Sequence, residues 1–204
     1  INGGAITAAN AEEGTAIYHP QNGLLTVNGG TVSAPTGIEM RSGTLTVNAG
    51  AIKSTASTFD EKGNGSGTTM TGVAVAVSQH VTDKDLKVVI NGGTLTGPYA
   101  LYEKDLQNET GTKALEIKDG IFEGQVYSKN CTAFIKGGTF SDVNALNYFA
   151  DNANVSMKLD KDCSISAFNL EKKDAKVEVD LATHTLTLSA VSQISATASF
   201  KNGN

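Results

Sequence analysis

Apolar and polar residues alternate along the first two thirds of this chain in short bursts, and one burst keeps returning. Ile1-Asn2-Gly3-Gly4-Ala5-Ile6, Val27-Asn28-Gly29-Gly30-Thr31-Val32 and Val47-Asn48-Ala49-Gly50-Ala51-Ile52 share one form. It recurs as Ile90-Asn91-Gly92-Gly93-Thr94-Leu95, Ile117-Lys118-Asp119-Gly120-Ile121-Phe122 and Ile135-Lys136-Gly137-Gly138-Thr139-Phe140. An apolar residue, a polar one, a small or acidic one, a glycine, any residue, an apolar residue: the pattern predicts strand, tight corner, strand. Strand-like units repeated at roughly 20–27 residues point to a β-solenoid.

Each corner follows an alternating pair: Leu25 and Val27, Leu45 and Val47, Val88 and Ile90, Leu115 and Ile117, Ala133 and Ile135. Period-2 alternation sends these inward and their neighbours Thr26, Thr46, Val89, Glu116 and Phe134 outward. After the corner the inward residues are Ile6, Val32, Ile52, Leu95, Phe122 and Phe140, and a further apolar stretch precedes each unit, such as Ile38-Glu39-Met40 or Ala100-Leu101-Tyr102. Three strands per turn then stack coil on coil as three parallel sheets around one apolar column. Gly4, Gly30, Gly50, Gly93, Gly120 and Gly138 hold the one corner place where the chain needs φ > 0. Asn2, Asn28, Asn48 and Asn91 align as a side-chain ladder, ended by Lys118 and Lys136.

Three insertions interrupt the coils. Residues 54–71 are rich in Ser, Thr, Gly and charge, whereas 78–86 and 103–112 share another corner and should be neighbours in space. Past Phe140 the pattern changes. Residues 142–150 read as a short helix N-capped by Ser141 or Asp142, placed to cover an exposed sheet edge. Strands are expected again at 155–159, 163–166, 177–181, 185–189 and 193–200, with Ala182-Thr183-His184 as a hairpin turn or one more corner. The reading is therefore all-β: a right-handed parallel β-helix of about six coils over 1–142. A short capping helix and a β-rich section, or further degenerate coils, occupy 143–204.

The phrase Asn-Gly-Gly-Thr followed by an apolar residue resembles the glycine-rich coils of right-handed parallel β-helix proteins of the pectate-lyase-like superfamily. It is more narrowly similar to repeats in large secreted or surface proteins of gut bacteria. Lys136-Gly137-Gly138-Thr139-Phe140-Ser141-Asp142, with the helix after it, looks like the way such repeats close. The stretch from Val179-Asp180-Leu181 through Ala182-Thr183 to Leu188 is similar to a strand-turn phrase of those proteins, with Ala-Thr where they carry Asn-Gly. The resemblance covers 1–142 well and 154–190 loosely, and it implies a fold and an extracellular or cell-surface setting rather than an activity. Since Ile1 opens inside a repeat unit, the chain reads as a piece of a longer secreted protein.

Composition narrows the function. The 204 residues hold 22 Gly, 3 Pro and no Trp, and the glycine excess is explained by the corners. A net charge of −5 disfavours a nucleic-acid groove. No apolar run reaches the roughly 18–20 residues of a membrane span. Cys131 and Cys163 form no C-x-x-C motif and read as free thiols, with a disulfide as the less favoured alternative.

Members of the resembled superfamily that cleave polysaccharides display carboxylates on adjacent coils, and glycoside hydrolysis needs a pair. The outward positions of the middle strands offer only Glu116, and those after the corner (Ser33, Lys53, Thr96, Glu123, Ser141) only Glu123. His19, His80 and His184 are scattered, so a triad has no support. Asp60-Glu61-Lys62-Gly63-Asn64-Gly65 lacks the acids of a calcium loop and reads as a flexible loop. The acidic residues left for a site are Asp83, Asp85, Glu103, Asp105 and Glu109 in the paired loops, where they would face a ligand such as a sugar or Ca²⁺. Solvation among Lys84, Lys87, Lys104 and Lys113 is the plainer account of them. Tyr18, Tyr102 and Tyr127 end equivalent strands as packing or as a sugar-stacking strip. Interrupted Thr rows speak against ice binding.

The expected function is a non-enzymatic extracellular module, an adhesin or stalk segment that holds glycans or host surface proteins without a cofactor. The alternatives are a fragment of a polysaccharide lyase or glycoside hydrolase and a purely structural spacer. The uncapped first coil is expected to self-associate through its open edge.

Overall fold

The computed structural model describes residues 1–8, 14–61, 70–79, 84–105, 110–167, 169–190 and 193–203. The chain is a parallel β-solenoid: ten strands of its main sheet curl through 302° about one axis. Three sheets face the column. The first contains Thr15–His19, Thr36–Met40, Val73–Val77 and the later halves of Thr94–Glu103 and Ile121–Ser128. The second contains Leu24–Val27, Gly43–Val47, Leu86–Ile90 and Lys113–Ile117, and reaches the start of Ile135–Phe140.

The third sheet runs the length of the molecule. It starts at Asn2–Thr7, passes Gly29–Ala34 and Ala51–Ser54, and continues through Phe149–Lys158 and Lys176–Asp180 to Thr197–Lys201. Its register stacks Ile6, Val32, Ile52, Leu95, Phe122, Phe140, Met157, Val179 and Phe200 in one inward row. Six of the nine are the residues that the alternation sends inward. Phe122 and Phe140 stack with ring centroids 4.7 Å apart, so like sits on like at the spacing of neighbouring strands.

The corners explain why the register holds. All six corner glycines take positive φ, from 79° at Gly4 to 126° at Gly120. Steric demand adds to this. A Cβ on Gly30 would lie 2.6 Å from the Gly4 carbonyl oxygen, and one on Gly50 would lie 2.8 Å from that of Gly30. Backbone therefore packs directly on backbone from coil to coil. Beside this line the asparagine amides form the expected ladder, with Nδ2 donating to Oδ1 of the coil before at 2.8, 2.7 and 2.8 Å. Where the ladder ends, Lys136 Nζ lies 2.6 Å from Glu116 and Lys118 Nζ 3.6 Å from it. The Lys136 hydrogen bond holds the Glu116 carboxyl below its usual range.

The C-terminal strands continue the stack. Cys163–Ile165 pairs in parallel with Leu186–Leu188, and Asn169–Leu170 with Gln193–Ile194. Of the two readings of Ala182-Thr183-His184, the corner holds, because Lys176–Asp180 and Leu186–Leu188 lie in different sheets. Ala182 and Thr183 take φ of 48° and 74° without glycine's freedom, and Asp180 Oδ1 accepts from the Ala182 N–H at 2.9 Å. Both cysteines are free.

The expected helix is a 3₁₀ helix, Val143–Tyr148, with Asp142 as its N-cap. It packs over the end of the first sheet: the Tyr148 hydroxyl accepts from the Ser128 N–H and donates to the Ser128 carbonyl, both at 3.1 Å. The third sheet runs on past it. Two orientations are overturned: Ala133, expected inward, is exposed, and Phe134, expected outward, is buried. Ala133 takes φ 52°, and the Phe134 ring lies 5.0 Å from that of Tyr148.

The described part of the 54–71 insertion covers the outer face of the first sheet. Asp60–Glu61 pairs antiparallel with Met70–Thr71, and Phe59 lies 4.6 and 4.7 Å from the rings of Tyr99 and Tyr102. Glu61 accepts from Lys104 Nζ at 2.6 Å. Residues 62–65 of the calcium-loop-like stretch lie outside the described residues.

Gly50→Ala should lower the melting temperature more than Gly4→Ala. Gly4 has no neighbour within 4 Å of an added Cβ, so alanine there meets only the left-handed backbone penalty of about 1–2 kcal/mol. At Gly50 the clash with Gly30 adds about 1–3 kcal/mol. Equal losses in thermal unfolding would remove coil contact as the constraint.

Candidate ligand-binding cleft

The stems of the two paired loops are neighbours: Leu86 N donates to Thr112 O at 2.8 Å, and Thr112 N to Asp85 Oδ1 at 3.1 Å. The described acidic residues of these loops, Asp85, Glu103 and Asp105, nevertheless bond to other parts of the chain. Glu103 ends its strand pointing inward and is 1% exposed. Its carboxylate accepts from Ser128 Oγ at 2.6 Å and from Asn130 N and Nδ2 at 2.8 Å each, so it fastens the corner of the next coil. Asp105 is buried, 3.1 Å from Lys113 Nζ. Asp85 is exposed, and Asp83 and Glu109 lie outside the described residues, as does His80. Among the described residues no three His, Cys, Asp or Glu side chains gather to hold a metal ion. His19 Nδ1 lies 3.1 Å from the Ser42 carbonyl, and His184 3.5 Å from Asp162.

The tyrosine row is broken by Glu39 and Ala76, which stand between Tyr18 and Tyr102 in the register. Tyr102 and Tyr127 do stack, 4.9 Å apart, but Tyr102 is buried under Phe59. Burial, with Glu61 beside it, pushes the Tyr102 hydroxyl up.

A cleft of about 600 Å³ opens instead on the outer side of the third sheet. Its origin is local. In two successive coils the third strand runs on into the first through Gly97-Pro98 and Gly124-Gln125. One coil later the chain leaves that path at Asp142 and enters the 3₁₀ helix, so the Gly124 N–H is taken by Ser141 Oγ at 2.9 Å instead of by backbone. The gap left by the missing corner is the cleft.

Outward residues of four successive third-sheet strands line it: Thr96, Glu123, Ser141 and Lys158. Pro98, half-exposed Ile121 and Leu159 supply apolar wall, and Asp142, Asp160 and Lys161 close the rim. Thr96 Oγ1 donates to Glu123 Oε2 at 3.0 Å. Asp142 is 8% exposed, and its two hydrogen bonds, from Asn144 N and Nδ2 at 2.8 and 2.7 Å, both fall on Oδ1. Lys158, Asp160 and Lys161 form no ion pair among the described residues. Burial, reinforced by the Asp142 carboxylate, pushes the Tyr99 hydroxyl up.

Glu123, Ser141 and Thr96 are visible in the sequence as one outward row, but nothing in the repeat phrase carries the row past Phe140. The alternation of Val155 and Met157 was the available signal for placing Lys158 next to Ser141. No protein-family model matches this chain, and no curated protein or solved structure is significantly similar to it.

Glu103→Ala should cost about 2–4 kcal/mol, because it strands three buried or half-buried donors at once. Asp85→Ala, at an exposed position, should cost less than about 1 kcal/mol. Urea unfolding of both variants checks this. A small loss at Glu103 would return that carboxylate to the list of ligand-facing groups.

Proposed function

We propose that this chain is a non-enzymatic solenoid module of a secreted or cell-surface bacterial protein, and that it binds glycan in the cleft beside Asp142. The observation that carries the reading is the cleft itself: apolar wall on one side, and around it hydroxyl, carboxylate and ammonium groups, of which Thr96 and Glu123 bond to each other while Lys158, Asp160 and Lys161 form no ion pair among the described residues. That mixture suits a ligand with apolar ring faces and many hydroxyls. The paired-loop acids carry the reading less well, since Glu103 and Asp105 are occupied in holding neighbouring coils. The resemblance to Asn-Gly-Gly-Thr repeat proteins of the pectate-lyase-like superfamily supports an adhesin or stalk setting outside the cell, with glycans or host surface proteins as partners. A polysaccharide-cleaving fragment is the second reading, favoured by the nearness of Glu123 and Asp142 in one cleft.

A glycan array, run with and without Ca²⁺, tests the proposal. Binding should be lost in Glu123→Gln/Lys158→Gln and kept in Asp85→Ala, with no dependence on Ca²⁺. Loss in Asp85→Ala alone would move the site to the loops, release of reducing or unsaturated ends would favour the enzyme, and a blank array would leave a structural spacer.

The same 204-residue chain should self-associate. Among the described residues, Asn2–Thr7, Thr15–His19 and Leu24–Val27 each pair on one side only, and Phe200 at the far end of the inward row is 48% exposed. Light scattering should show mass rising with concentration; a monodisperse monomer at high concentration would count against it.

A further inference from the structure

The charges in the cleft are of both signs and are kept apart. Lys158 stands one strand beyond Ser141, and Glu123 one strand before it, so the two lie about two strand spacings of ~4.8 Å apart along the sheet. Asp142 is nine-tenths buried, with one oxygen given to the helix cap and the other without a hydrogen bond in the cleft wall. The free oxygen is not enclosed, and the strongest hydrogen bond open to it is a charge-assisted one from a cationic donor entering the cleft. An ammonium alone would meet Lys158 and Lys161, and a carboxylate alone would meet Glu123, Asp142 and Asp160. A ligand carrying both satisfies both sets.

Resting on the glycan reading above, we propose that the cleft selects a saccharide bearing a free amine and a carboxylate on the same or adjoining residues. The amine is received by Asp142 and Glu123, and the carboxylate by Lys158 and Lys161. Asp142 is the residue that sets specificity, and Ser141, whose oxygen already accepts from Gly124, offers its hydroxyl proton between the two poles.

Three sugars separate the terms: muramic acid has both groups, N-acetylmuramic acid only the carboxylate, and glucosamine only the amine. In chemical-shift titrations of the ¹⁵N-labelled chain, muramic acid should bind about tenfold or more tighter than either of the others, the scale of one charge-assisted hydrogen bond. Asp142→Asn keeps an N-cap oxygen for the Asn144 N–H and so should keep the melting temperature. In that variant muramic acid should bind no better than N-acetylmuramic acid; in Lys158→Gln it should bind no better than glucosamine. Equal affinity for the three sugars would overturn the proposal while leaving a neutral glycan found on the array as the ligand. Equal affinity for the dipeptide glycylalanine and muramic acid would also overturn it, since a saccharide would then not be required. No shifts with any sugar, together with a blank array, would overturn both readings.

Discussion

The structure depends on one close approach: the carbonyl of each corner glycine lies where the side chain of the next coil's corner residue would be. With 2.6–2.9 Å between that oxygen and an added Cβ at Gly30, Gly50 and Gly93, the backbones of successive coils lie directly on one another. Any other residue would pry the coils apart at that corner, and parallel pairing at strand spacing would fail with it. The contact also sets register. Once glycine lies over glycine, the asparagine amides meet at hydrogen-bond distance, and each inward residue falls on its counterpart one coil away. The amide ladder and the apolar row are thus two consequences of one steric requirement.

Departures from that requirement are where the molecule acquires individual features. The insertions at 54–71, 78–86 and 103–112 all fall outside the line of stacked corner glycines. In one coil the described part of the 54–71 insertion folds over the first sheet, turning an outward aromatic row into a second small core of Met70, Val73, Ala76 and Tyr102. At Asp142 the chain abandons the corner path altogether. The 3₁₀ helix packs over the end of the first sheet through the Tyr148 hydroxyl, and the third sheet goes on, so a gap opens between a stacked and an unstacked part of the same coil. The cleft and the capped edge have the same cause.

Several features were legible from residue order, because each depends on neighbours a few positions away. The positive φ of six glycines, the inward row from Ile6 to Phe140, the ladder from Asn2 to Asn91 and the Asp142 cap all follow from local alternation and from small repeats laid over one another. Phe134 was misplaced because its direction is decided by Ala133 turning to φ 52° and by Tyr148, a residue of the helix. The acids Glu103 and Asp105 looked available because their sequence neighbours are lysines and polar loops, whereas their partners in space, Asn130 and Lys113, come from later in the chain.

Sequence alone determined the architecture, since a glycine-cornered repeat with period-2 alternation has few ways to bury its apolar residues other than a stacked coil. Only the tertiary structure decided which polar groups line the cleft. That outcome depends on register between strands as distant as Glu123 and Lys158, and on the chain leaving its corner at Asp142. A carboxylate is spent or open according to what the neighbouring coil offers it, and no stretch of sequence contains both coils at once.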